Sequence, residues 1–384
     1  MRVKIIDEQR VVCSNNNSIH NYFAWPTVTR LEDGTLAFVA SGFRMRHICP
    51  FGKVVICYSR DEGKTWSNPA VLIDTPLDDR DAGILTFGSK NVIVTSFNDT
   101  IKFQRECALE HAMKADNPYV NAYLNRIEAE GLERDYFGST YVLSNDGGYT
   151  FGNVKFCGIS TPHGPALLND GRVIYVGRVW NRELADTQIT GAKSRDVIEC
   201  HIMNENGDFE YLSEIEEIYV DGEKQLACEP HTTVLPNGKI IVHIRVHGYT
   251  AGNQMSIYQS ESYDNGQNFT TPHRILEFGE GAPSHILRHS SGKLIATYGH
   301  RLDPIGIRAM VSCDDGESWE AGLTVCNTLP GNDDIGYPSS VELDDGSILT
   351  IFYAHRGTES AERYAHRDCD IPSEIMQVIW KLED

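Results

Sequence analysis

Six apolar runs in this chain end in charged or histidine side chains, namely Arg44 and Arg46, Asp99, Arg178, Arg245 with His247, His300 with Arg301, and His355 with Arg356. The starts of the runs that precede them add Asp81, His163, Glu229, His231, His285 and Tyr337. Three chemistries are open to such a set. Carboxylates and a phenol support general acid–base and nucleophilic catalysis. Guanidinium groups hold an anion through paired donors. Imidazoles joined by Glu229 or Asp81 can ligate a divalent metal, but the chain has no short ligand spacing such as HExxH, so His163, His231, His285 and His300 would have to converge in space. The plain alternatives are a rim ion pair for any one arginine and a hydrogen-bonded structural role for any one histidine.

Positioning these groups needs a repeated scaffold, and two repeats are present. The pattern Ser59, Asp61, Gly63, Trp66 returns at Ser144, Asp146, Gly148, Phe151, at Ser262, Asp264, Gly266, Phe269, and at Ser312, Asp314, Gly316, Trp319. Each copy follows a β-type run. Its aspartate can accept backbone N–H groups, its glycine allows positive φ, and its aromatic can plug the gap below, so it reads as a structural turn. A degraded copy lies at Met203 to Phe209. The second repeat is strand, turn, strand, over Pro26 to Ala40, Gly83 to Phe97, His163 to Val179, Pro230 to Val246, Ser284 to Arg301 and Pro338 to Arg356.

These units predict an all-β protein, a six-bladed β-propeller of four-stranded antiparallel blades in one domain over residues 1–384; a sandwich is the alternative. Residues 2–12 are expected to close the last blade by supplying its outer strand. Residues 103–135 carry helical spacing at Leu109, Met113, Tyr123, Leu124 and Ile127, which predicts a helical insertion in the second blade, interrupted near Asn117-Pro118. It could serve as a lid, as a subunit contact in a homo-oligomer, or as a solvated insertion. In a meander, the strand ends named above and the loops joining second to third strands share one face, where propellers place ligand sites.

Composition narrows the partners. The net charge of −20 argues against nucleic acid and anionic membrane, and an anionic ligand would need locally placed arginines. The ten cysteines are scattered, as at Cys57, Cys200 and Cys313, which fits reduced thiols. No apolar run is long enough to span a membrane, and Met1 to Glu8 lacks the features of a secretory signal, so a cytoplasmic location and a small carbohydrate partner are expected, with no cofactor.

The four aspartate turns, the unit layout and the unit-specific residues resemble the sialidase (neuraminidase) superfamily, also known for its BNR or Asp-box repeats, over nearly the whole chain. That resemblance implies a tyrosine nucleophile at Tyr337 in Gly-Tyr-Pro-Ser-Ser, a glutamate base at Glu229 in Cys-Glu-Pro-His, and carboxylate-binding arginines at Arg245 and at Arg301, with Arg308 as the other choice for the second. A substrate carboxylate at the anomeric carbon would repel an anionic nucleophile, so a phenol deprotonated in place suits such a sugar.

The chain departs from the family pattern twice. Ala24-Trp25-Pro26 stands where an arginine is expected, and the loop Phe43 to Tyr58 holds no carboxylate to act as acid. Asp81 or His47 would then donate the proton, with Arg44, Arg46, Arg178, Arg356, His231, His285, His300 and Trp25 as further substrate-binding candidates. The resulting expectation is a sialidase-like exo-glycoside hydrolase acting on an acidic or related terminal sugar. A metal-dependent carbohydrate hydrolase, deacetylase or lyase using the histidines, and a non-catalytic glycan-binding propeller, are the other readings.

Overall fold

The computed structural model describes residues 1–110, 118–180, 197–248, 252, 254–327, 333–355 and 372–383. The first strands of successive units touch in a closed ring. Tyr22–Arg30 lies against Arg80–Phe87, which meets Ala166–Leu167. The ring continues through Leu226–Val234, Ser284–Arg288 and Gly336–Glu342, which returns to Tyr22–Arg30.

The expected six blades of four strands are not what the hydrogen bonding forms. Four separate blades are present: three of four strands, running from Arg80 to Cys157, Leu226 to Arg274 and Ser284 to Cys326, and one of five strands, from Ile159 to Ile215. The first and last units belong to one eight-stranded sheet. They are joined by a parallel contact, Tyr22 with Ser373, reinforced by Ser373 Oγ donating to the Phe23 carbonyl at 2.8 Å. Arg2–Cys13 adds to that sheet as an antiparallel partner of Ser373–Glu383. A separate two-stranded ribbon pairs Tyr219–Val220 with Glu223–Lys224.

Each sheet is covered by a neighbour on both faces, which is why inner strands such as Ile240–Gly248 and Leu36–Arg44 read as almost unbroken apolar runs. Outer strands such as Glu320–Cys326 are partly exposed and carry more polar residues. The core is accordingly divided into slices between sheets. Ile240, Val242 and Ile244 pack on Ile174, Val176 and Cys200 of one neighbour, while Ile241 and Ile257 pack on Leu294, Ala296 and Met310 of the other.

The aspartate turns link the slices. In the first, Asp61 accepts from Ser59 Oγ, the Thr65 amide and Thr65 Oγ1 at 2.7–2.8 Å, and Ser59 Oγ accepts the Gly63 amide at 2.9 Å. The other three copies repeat this pattern around Asp146, Asp264 and Asp314. Glycine is needed for space as well as φ: a Cβ at Gly316, where φ is +83°, would lie 2.5 Å from Ile241 Cδ1 of the preceding unit.

The helical insertion comprises Ile101–Glu110, Pro118–Glu130 and Leu132–Tyr136. Of the expected break at Asn117-Pro118, Asn117 lies outside the described residues, and Pro118 opens the second helix, where its missing N–H is not needed. Val120, Leu124 and Ile127 share one buried face and pack with Met45, Cys49 and Leu77. No helix among the described residues is long and apolar enough to cross a membrane.

Gln259 is fully buried and joins two units, with Nε2 donating to the Gly316 carbonyl at 2.8 Å and Oε1 accepting Trp319 Nε1 at 2.8 Å. Gln259→Leu leaves both partners unsatisfied, so urea denaturation should register a loss of about 2–4 kcal/mol; a loss under about 0.5 kcal/mol would contradict this account.

Candidate active site

Four inner strands share one local irregularity. Between Ala24 and Thr27, Arg80 and Gly83, Cys228 and His231, and Gly336 and Ser339, three steps on the inner strand face two on its partner, so each carries one extra residue. Within each bulge a non-glycine residue takes left-handed φ: Trp25 at 54°, Asp81 at 44°, Glu229 at 50° and Tyr337 at 48°. Such φ values cost roughly 1–3 kcal/mol apiece and persist only where packing fixes them. Three of these four side chains line a single cavity of about 660 Å³.

Within it, Tyr337 donates its hydroxyl proton to Glu229 Oε1 at 2.7 Å. Arg245 Nη1 donates to both, at 2.9 Å to the phenol oxygen and at 2.5 Å to Glu229 Oε2. Burial pushes the Glu229 carboxyl up, but Arg245 and the Tyr337 hydroxyl more than reverse this and hold it below the usual carboxylate range. Burial, aided by the Glu229 charge, raises the Tyr337 phenol well above its ordinary value despite Arg245. At rest the pair is therefore an ionised carboxylate accepting from a neutral phenol.

Asp81, Asp99, Arg80, Arg178, Arg301 and His47 also line the cavity. Burial pushes Asp81 up to about 7; Arg80 opposes the shift and Glu229 adds to it. Asp99 rises to about 7 mainly for the same reason, burial, again opposed by Arg80. Arg301 donates to the Ile335 carbonyl at 3.3 Å, and its guanidinium lies 5.9 Å from the Tyr337 ring centre. Arg178 lies 5.6 Å from the Trp180 ring centre. His247 is pushed down to about 4, first by burial and then by Arg245, with Arg301 and Arg178 adding to the effect.

His47 belongs to a second cluster at the cavity wall. Its Nδ1 lies 3.1 and 3.2 Å from the Asp334 oxygens and 2.9 Å from Tyr22 Oη. Asp334 also accepts from Tyr22 at 2.6 Å and Tyr353 at 2.7 Å, and contacts His355 Nε2 at 3.0 Å.

Other residues named from the sequence are not brought to the cavity. Arg44 is fully buried in an ion pair with Asp78, its Nη2 at 2.9 Å from Oδ2, and it also donates to Ser41 Oγ and the His47 carbonyl. Arg46 is buried and donates to the Ile48 carbonyl at 2.7 Å. His300 Nδ1 donates to the Glu280 carbonyl at 2.6 Å, and Arg308 Nη2 donates to the Pro304 carbonyl at 2.8 Å. Trp25 is buried behind the wall, its ring 4.2 Å from the Arg80 guanidinium and 6.4 Å from the Tyr337 ring. Arg356 lies outside the described residues.

His163, His231 and His285 do converge, with ring centres 4.4–5.4 Å apart, but in a buried packing cluster rather than at the cavity surface. His231 Nδ1 accepts the Ile286 amide at 2.9 Å, and His285 Nδ1 accepts the Ser340 amide at 3.3 Å. In neutral rings this puts the proton on Nε2 of His231 and His285 and leaves no lone pair there for a metal, which corrects the candidacy of these two as ligands. Their burial away from the cavity corrects it as substrate contacts; His163 lies with them, its Nδ1 3.2 Å from Thr27 Oγ1. Among the described residues no group of three or more His, Cys, Asp or Glu is arranged to hold a metal ion.

Sequence reasoning did not single out Asp334, Arg80 or Trp180 as site residues. Asp334 precedes Tyr337 by three positions in a loop, and Arg80 adjoins Asp81, so adjacency to the bulges was the available signal.

No family model matches the chain, and no curated protein matches it. Solved structures of similar fold include a protein of unknown function from Dyadobacter fermentans, 20% identical over 99% of both chains with a TM-score of 0.72. The NanB sialidase of Streptococcus pneumoniae is 13% identical over 97% of this chain and 70% of that one, with a TM-score of 0.66. An α-L-arabinanase of Penicillium chrysogenum, complexed with arabinobiose, is 14% identical over 99% and 98%, with a TM-score of 0.61. The chain thus has the fold of the sialidase-like β-propellers.

The histidine cluster generates a test. Burial holds His231 and His163 well below the ordinary imidazole value and His285 at about 3, so the folded protein keeps them neutral. Below about pH 6.5 the unfolded chain takes up protons that the folded chain refuses, so each ring lowers stability by about 1.4 kcal/mol per pH unit. His231→Gln keeps an acceptor for the Ile286 amide and removes one titration. Its stability, measured by denaturation from pH 6.5 to 4.5, should fall less steeply than that of the wild type; parallel slopes would refute the assignment.

Proposed function

We propose that this protein is an exo-acting glycoside hydrolase that uses Tyr337 as nucleophile and Glu229 as the base that activates it, on a small carbohydrate bearing an acidic or related terminal sugar. The observation that carries this reading is the 2.7 Å hydrogen bond from the Tyr337 hydroxyl to Glu229, with Arg245 bridging both groups.

The chemistry follows from that triangle. As the phenol oxygen bonds to the anomeric carbon, its proton passes to Glu229, and Arg245 offsets the charge that develops on the oxygen before transfer is complete. Water then displaces the tyrosine oxygen from the same carbon, Glu229 returns the proton, and two displacements give net retention. Arg301 and Arg178, with Arg245, are the guanidinium groups that would hold an acidic substituent. Asp81, raised to about 7, is a carboxyl that stays largely protonated in mildly acidic solution at the same wall. The sialidases and the arabinanase of similar fold support the hydrolase class.

Release of phenol from a panel of aryl glycosides, aryl sialosides among them, tests the proposal. Tyr337→Phe should lower kcat about 10³-fold or more, and Glu229→Gln about 10²–10⁴-fold, while melting temperatures stay within a few degrees of wild type. Because Glu229 must be ionised and sits below the usual range, the acid limb of kcat should fall only beneath the ordinary glutamic acid range. Full activity in Tyr337→Phe would refute the proposal.

A further inference from the structure

We infer that His47, backed by Asp334, is the general acid–base of this site, protonating the departing oxygen in the first displacement and taking a proton from the attacking water in the second. The inference rests on the glycosidase reading above and names a catalytic group for it.

The hydrogen-bond pattern assigns the tautomer. Tyr22 donates its hydroxyl proton to Asp334 Oδ2 at 2.6 Å, so the 2.9 Å contact between Tyr22 Oη and His47 Nδ1 needs its proton from the imidazole. The two Asp334 oxygens at 3.1 and 3.2 Å demand the same. Nδ1 therefore carries hydrogen in both charge states of the ring, and Nε2 is the nitrogen that gains and loses the catalytic proton.

The surroundings fix the ring and favour its cycling. From the first unit, Trp25 meets the imidazole edge to face at 5.1 Å. Arg44 Nη2 at 2.7 Å and, from the second unit, Arg80 Nη1 at 3.0 Å donate to the His47 carbonyl and anchor its backbone. From the last unit come Asp334 and the groups that hold it, Tyr353 and His355. Burial alone would push the Asp334 carboxyl up, but His47 and the hydrogen bond from His355 hold it well below the usual range. A fixed anion behind Nδ1 supports the imidazolium form, while Arg44 and Arg80 at the backbone carbonyl are themselves paired with Asp78 and Asp99.

Asp81 is the competing group. Its side chain is buried, and the whole residue is 4% exposed, whereas the His47 side chain keeps 21% of its surface open, which suits a group that must meet both leaving oxygen and incoming water. The proton balance is complete. His47 Nε2–H passes its proton to the glycosidic oxygen as that C–O bond breaks and the tyrosine bond forms. Neutral Nε2 then takes one proton of water as the water oxygen bonds to the anomeric carbon and the tyrosine oxygen leaves to recover its proton from Glu229.

The test compares wild type, His47→Ala, His47→Gln, Asp81→Asn, Asp334→Asn and Tyr337→Phe on aryl glycosides of one hydrolysed sugar, from dinitrophenyl to unsubstituted phenyl leaving groups. Both His47 variants should lose about 10²–10⁴-fold on the phenyl glycoside and less than tenfold on the dinitrophenyl one. Azide should restore turnover of the latter with a glycosyl azide as product, and the basic limb of kcat/KM should vanish. Asp334→Asn should keep that limb and move it to lower pH, and ¹⁵N imidazole resonances should report the same displacement of His47 titration without any turnover. Equal losses across leaving groups with an intact basic limb, or leaving-group-selective loss in Asp81→Asn instead, would overturn the inference while Tyr337→Phe still supports the nucleophile. A wild type silent on every glycoside overturns both.

Discussion

The carbonyl of each turn glycine is tied to the preceding unit, and this contact sets the spacing of everything else. Gly63 is held by Gln377, Gly148 by Tyr58, Gly207 by Tyr141, Gly266 by Ser213 and Gly316 by Gln259. The donors differ in side chain and in place: Ser213 comes from the outer strand of its unit, the other four from third strands. A glycine reaching close to its neighbour lets a carbonyl be satisfied across a boundary where two apolar faces meet, so the slices of core cannot slide past one another without leaving buried polar groups unpaired. The third unit lacks the aspartate pattern at its turn yet keeps the bond through Gly207, which places the requirement on the glycine carbonyl rather than on the aspartate.

Fixed spacing at the outer turns is what allows irregularity at the inner strands. A one-residue bulge re-aims a side chain that a regular strand would send into a sheet-to-sheet core. Asp81, Glu229 and Tyr337 are delivered to the cavity in this way from three different sheets, and each holds a φ that is uncommon outside glycine. Trp25 occupies the fourth bulge and is buried behind the cavity wall. Its ring supports the guanidinium of Arg80 at 4.2 Å and stands against His47 at 5.1 Å, so the first unit supplies His47 from its loop and orients both groups through Trp25.

Much of this was legible from residue order because strand-and-turn periodicity is local. The repeated turns and hairpins are read correctly from runs such as Val54 to Tyr58 and Ile240 to Val246. The eight-stranded sheet was not legible, since it depends on Tyr22 meeting Ser373 across almost the full length of the chain. The same logic separates the site residues. Position at a strand end marked Tyr337, Glu229, Arg245, Asp81, Arg301 and Arg178 for the cavity, but it marked Arg44 equally, and that arginine is instead paired with Asp78 from the loop that leads into Arg80–Phe87. Asp334 carries no periodic signal at all, and its role depends on Tyr22 and Tyr353 arriving from distant segments.

The charge arrangement then explains how a protein of net charge −20 can present a site suited to an anionic group. Arg245, Arg301 and Arg178 all act to depress His247 against the opposing charge of Glu229, so positive charge gathers near that residue. Arg301 also donates to the Ile335 carbonyl, next to the buried anion Asp334, which faces His47. Glu229 has its charge balanced by Arg245 and accepts a hydrogen bond from the Tyr337 phenol. Guanidinium groups placed among ionised carboxylates at one cavity mean that the local charge there is set by residue placement and not by the net charge of the chain. Local placement of arginines, rather than the overall balance of charge, decides which sign of group such a cavity can hold.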